Sequence, residues 1–91
     1  MSISKADAVE KARKDLAQRL KIDTSAIKEQ SVEDDDFPDM ALGAPEDGEM
    51  SGQMITRGWR IKLEAQGQTY EYRADKNQVR AYQFKGQNYR I

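Results

Sequence analysis

Eight carboxylates and no cation lie between Val32 and Met54: Glu33, Asp34, Asp35, Asp36, Asp39, Glu46, Asp47 and Glu49. Clustered carboxylates are hard oxygen donors, so the first chemistry to weigh is divalent-cation binding. The calcium-loop template fails in each register. A start at Asp34 puts Pro38 fifth and Pro45 twelfth; a start at Asp35 puts Phe37 third and Met40 where glycine is needed. No resident metal or cofactor is expected. Two other readings suit the segment better. Its carboxylates can lie along a basic part of the same chain, anchored by Phe37, Met40 and Leu42, or they can steer a basic partner protein. Exposed ion pairs are individually weak and screened by salt, so the apolar residues would do most of the anchoring.

A second candidate chemistry sits after residue 55, where Arg60, Lys62, Arg73, Arg80, Lys85 and Arg90 interleave with Tyr70, Tyr72, Tyr82, Phe84 and Tyr89. Basic residues among aromatics suit single-stranded nucleic acid, whose bases stack on aromatic platforms. Yet the net charge is −1, and neither an RRM-type aromatic motif nor a KH-type glycine loop is present. Tyr70 and Tyr72 also share the parity of a core-facing strand, so nucleic acid ranks behind protein as the partner.

Catalysis has little to work with. The 91 residues contain no His and no Cys, which removes the usual proton shuttle, the thiolate nucleophile and the commonest zinc ligands. Ser25, Ser31, Ser51 and Thr56 have no base at motif spacing, and Gly43, Gly48, Gly52 and Gly58 form no phosphate cradle. Paired carboxylates can do acid–base work alone, but they need a cleft that a small core leaves little room for. The chain reads as a non-enzyme.

The elements that position these residues can be read from periodicity. Ala6, Val9, Ala12, Leu16 and Leu20, with Ala17 beside them, recur at helical spacing, and Ser4 is placed to cap the helix through the Asp7 N–H. A helix over about 4–20 follows, then a weak strand near 26–32 in which only Ile27 and Val32 are large and apolar. An acidic loop spans about 33–56 and holds both prolines, Pro38 and Pro45. Beyond it, Trp59, Ile61, Leu63 and Ala65 alternate with charged residues, as do Tyr70, Tyr72 and Ala74. Gln66-Gly67-Gln68 and Asp75-Lys76-Asn77-Gln78 supply turns. In the strand from Val79 to Phe84 the parity conflicts, with Val79 and Ala81 on one face and Tyr82 and Phe84 on the other. A bulge or an exposed aromatic would resolve it. The meander ends near 85, leaving 86–91 as a loose tail. The whole is one α+β domain over 1–91, an N-terminal helix packed on a three- to four-stranded antiparallel meander.

Charge is zoned along this order, +2 over residues 1–31, −8 over 32–54 and +5 over 55–91. No apolar run at the N-terminus suggests a signal peptide and none is long enough to span a membrane, so a soluble cytoplasmic monomer is expected.

Phe37-Pro38-Asp39, Leu42-Gly43-Ala44-Pro45, Gly58-Trp59-Arg60-Ile61 and Tyr70-Glu71-Tyr72-Arg73 resemble a family of small uncharacterised bacterial, cyanobacterial-type proteins. In that family the loop commonly reads Trp-Pro-Asp, where this chain has Phe37, and a Thr-Pro-Gly-like turn opens the strand, where this chain has Thr56-Arg57-Gly58. The layout is also similar to the PepSY-like fold. The resemblance implies a modulator of peptidases with no catalytic residue of its own. It makes Phe37, Pro38, Asp39, Leu42, Gly43 and Pro45 the candidate partner-binding loop. A binding or regulatory module acting through protein contacts is the expectation, with single-stranded nucleic acid and divalent cations as the alternatives.

Overall fold

Ser4 begins the helix. Its hydroxyl accepts from the Asp7 N–H at 3.1 Å while Asp7 Oδ2 accepts from the Ser4 N–H at 3.3 Å, a reciprocal cap that places a carboxylate at the positive helix end. The helix α1 (Lys5–Leu20) stops where Lys21 turns left-handed at φ 57°. The computed structural model describes residues 2–91. After a 3-10 turn at Thr24–Ala26, five strands follow: β1 (Lys28–Phe37), β2 (Thr56–Ala65), β3 (Gln68–Ala74), β4 (Val79–Phe84) and β5 (Gln87–Arg90). They form one sheet in the order β1-β2-β3-β4-β5, every neighbouring pair antiparallel.

The fold is α+β, as the periodicity implies, with five strands instead of three or four. Two segments account for the difference. Residues 86–91 are no loose tail: Lys85 and Gly86 both take positive φ, 50° and 84°, and turn the chain back into β5. That pair of positive φ values is what a two-residue hairpin turn needs to match the strand twist. The acidic stretch 33–37 is strand as well. Asp and Glu are poor strand formers, but Asp35 pairs with Arg60 at 2.7 Å and Asp36, opposite Arg57, pairs with it at 3.6 Å, so cross-strand charge overrides local preference. The connection between β1 and β2 is thus shorter than the sequence suggests, 38–55.

The helix buries Ala8, Val9, Ala12, Leu16 and Ala17 against one sheet face. Its stripe is centred on Ala8 and Ala12, which are fully buried, whereas Ala6 is exposed. Opposite them stand Ile61, Leu63, Tyr72, Ala74, Val79 and Ala81. The Tyr72 hydroxyl donates to Asp15 on the helix at 2.8 Å, and burial followed by that bond pushes its ionisation far above the ordinary range. In β4 the parity conflict is resolved by a bulge. Register shifts between Ala81 and Phe84 and Gln83 takes φ 51°, which keeps Tyr82 on the far face and turns Phe84 to the helix side, 5.7 Å from Tyr70. Among the described residues no helix is long and apolar enough to cross a membrane.

Candidate functional site

The sheet face away from the helix is covered by the 38–55 connection. Phe37, the last residue of β1, points onto this face and is buried to 1%. Arg60 and Arg73 hold their guanidinium carbons 5.7 and 5.3 Å from its ring centroid. A chain of ion pairs runs beside it: Asp35 to Arg60 at 2.7 Å, Arg60 to Glu71 at 3.1 Å and Glu71 to Arg73 at 2.8 Å. Arg73 also holds its guanidinium carbon over Tyr82, 3.6 Å from the ring centroid, and donates to the Leu42 carbonyl at 3.0 Å.

The turn that follows is built by Asp39, whose Oδ1 accepts from the N–H groups of Ala41 and Gly43, each at 3.0 Å. This bends the chain so that Leu42 and Gly43 both take positive φ and the Leu42 side chain is fully buried. Gly43 suits the turn through its φ of +66°, and it leaves room for Arg73 Nη1, which a Cβ there would approach to 2.7 Å and push aside. Further along, Arg80, buried to 2%, pairs with both Glu49 oxygens at 2.6 and 2.8 Å. Arg80, then the Glu46 N–H, hold the Glu49 carboxyl down to about 2. Asn88 donates to the Pro45 carbonyl at 2.9 Å and ties the middle of the connection to β5.

The sequence-derived candidates therefore divide. Phe37 and Leu42 are buried within the molecule, Asp39 and Gly43 are occupied in the turn, and only Pro38 and Pro45 present their rings to solvent. Four of the eight carboxylates, Asp34, Asp35, Asp36 and Glu49, pair with cations of the same chain, while Asp39 and Glu46 accept from backbone N–H groups. Lys5 binds Asp34 at 2.8 Å and holds its carboxyl below the usual range, and Arg60 does the same to Asp35. Among the described residues no three metal-ligating side chains converge. The aromatics are likewise occupied: Tyr70, Tyr72 and Phe84 face the helix side, Tyr82 lies under Arg73, and Arg19 covers Tyr89 at 4.1 Å.

What the connection leaves exposed is apolar: Met50, Met54 and Ile55 are not among the sequence-derived candidates, and Met40, expected there as an anchor, is half exposed because Phe37 and Leu42 fill the space beneath. Met50 is 96% exposed, Ile55 72%, Met54 64% and Met40 50%. They rim an open cleft of about 660 Å³ between the 49–56 segment and the β3–β4 turn. Arg57 and Lys76 line it and also line a neighbouring groove of about 380 Å³ that reaches Trp59. Three large apolar residues in a stretch with neither strand nor helix periodicity, Met50, Met54 and Ile55, were the available signal.

A family model described as a domain of unknown function (DUF8738) matches residues 9–82. No curated protein and no solved structure matches the chain.

Proposed function

We propose, from the premise that this chain belongs to the DUF8738 family of domains of unknown function, that it is a non-enzymatic module that works by binding another protein. The observation that carries the reading is the exposed cluster of Met40, Met50, Met54 and Ile55 beside the cleft. Exposed contiguous apolar surface on a small protein marks an interaction site, and methionine adapts its shape to a partner without much selectivity for one geometry. The connection is held to the sheet over residues 42–49 by Arg73, Arg80 and Asn88, and the Met40 N–H donates to the Gly52 carbonyl at 3.0 Å, which keeps Met40 beside the more loosely held 50–55 segment. The absence of His and Cys and the pairing of Asp35 and Glu49 with arginines favour binding over catalysis.

A finer form of the proposal is that the partner is a peptidase, held by the 37–55 segment, with the protein acting as a cytoplasmic monomer. It rests on the PepSY-like layout of one helix across an antiparallel sheet, an argument from analogy. The test is a comparison of proteins captured by the wild type and by the triple variant Met50→Ser, Met54→Ser, Ile55→Ser, whose sites are exposed enough to leave the fold intact. Partners held by the wild type and lost by the variant are expected, with peptidase activity among them. An identical set from both proteins overturns the reading.

A further inference from the structure

We propose that the outer edge of β1 is a docking site for an extended segment of another protein, one that alternates apolar and basic residues. β1 is ten residues long and, among the described residues, pairs with β2 alone, so its other edge meets no described strand. A strand edge offers N–H and C=O groups at fixed spacing, and an extended backbone is the ligand that satisfies them in series. Beside this edge the helix leaves room. α1 packs mainly over β2 and β4, and an open groove of about 530 Å³ runs between Ala6, Val9, Glu10 and Arg13 of α1 and Glu29 and Val32 of β1.

Register sets what the added strand must carry. Val32 lies opposite Ile61, on the helix face, while Glu33 lies opposite Arg60, on the other. Alternate side chains of an added strand would enter the groove above Val32 and Val9, where apolar groups fit. The intervening ones would lie beside Glu33. Glu10, Glu29 and Glu33 form no ion pair among the described residues, whereas Asp34, Asp35 and Asp36 are each paired within the chain. Lys28 and Arg13 are the cations here without an ion pair among the described residues, and Arg13 is turned onto the Ile27 carbonyl at 3.1 Å. Three carboxylates against two cations leave the edge negative by one, with Glu29 and Glu33 the exposed acids that select Lys or Arg. The negative edge also disfavours a second copy of this chain in any register that sets residues 33–36 against 33–36, where carboxylates would lie opposite carboxylates. This surface is separate from the methionine-rimmed cleft and does not depend on it.

The experiment follows amide shifts of the whole labelled protein while a capped (Lys-Val)4 peptide is added at low salt, with a capped (Glu-Val)4 peptide as control. Saturable shifts confined to Lys28–Phe37 and the first half of α1 are expected, with Kd below about 1 mM for so short a strand. Glu29→Lys with Glu33→Lys, both at exposed positions, should weaken the lysine peptide about tenfold and admit the glutamate peptide. Backbone N-methylation of the peptide should abolish binding. Equal affinity for the two peptides, shifts centred on Met50–Trp59, indifference to the charge reversal, or no binding at all would overturn the proposal. Concentration-dependent shifts of β1 in the protein alone would overturn it in favour of self-pairing.

Discussion

Phe37 and Glu49 hold the connection to the sheet by different forces, and substitution separates them. Phe37→Ala empties a fully enclosed site between two guanidinium groups and should cost about 3–5 kcal/mol of unfolding free energy, read from urea denaturation. Asp35→Asn removes a partly exposed partner of Arg60 and should cost far less. A larger loss from Asp35→Asn would mean that charge, not burial, anchors the segment. Glu49→Gln leaves the buried Arg80 without its counter-charge and should cost about 1–3 kcal/mol at neutral pH. The carboxyl sits at about 2, below its ordinary 4.5, so its contribution is complete above about pH 4.5 and is lost as pH falls toward 2. The gap between wild type and variant should therefore close over that window; a constant gap would place the effect elsewhere than in ionisation.

At the scale of elements, the two tight hairpins and the β4 bulge set the topology. Gln66-Gly67 and Lys85-Gly86 both place two consecutive residues at positive φ, which turns β2 into β3 and β4 into β5. A Cβ added at Gly67 or Gly86 meets nothing within 4 Å, so these sites isolate backbone conformation from packing. Gly67→Ala and Gly86→Ala should each cost about 1–2 kcal/mol, whereas D-alanine, introduced by synthesis, should be neutral or stabilising. Equal losses from both enantiomers would contradict a conformational cause. Gly58 is a different case. Its Cβ would lie 2.2 Å from the Ala74 carbonyl oxygen, so the β2–β3 pair closes only with glycine there, and alanine should cost about 1–3 kcal/mol through displaced backbone.

Over the whole molecule the sheet is a central layer with the helix on one face and the 38–55 connection on the other. The two covers differ in kind. The helix side is a continuous apolar core, while the other side rests on Phe37, Leu42 and two nearly buried arginines. Native-state hydrogen exchange should be slowest for β2 and β3 and fastest for 50–55, whose methionines pack on little. Protection of 50–55 equal to that of β3 would contradict this layering. Much of the layout follows from sequence alone. The helix, its Ser4 cap, the period-2 strands at Trp59–Ala65 and Tyr70–Ala74, and the acidic and basic zones are local patterns that each segment carries by itself. The strand character of Glu33–Asp36 depends on Arg57 and Arg60, some 25 residues away, and no local propensity records that pairing. The bulge at Gln83 decides which aromatic of β4 meets the helix, and it is a choice between two parities that the sequence leaves equal. The exposure of Met50, Met54 and Ile55 is likewise a tertiary result. It arises because Leu42 and Phe37 fill the space under the connection first and Arg73 and Arg80 hold the 42–49 backbone and Glu49 there, so the remaining apolar side chains have no interior left to enter.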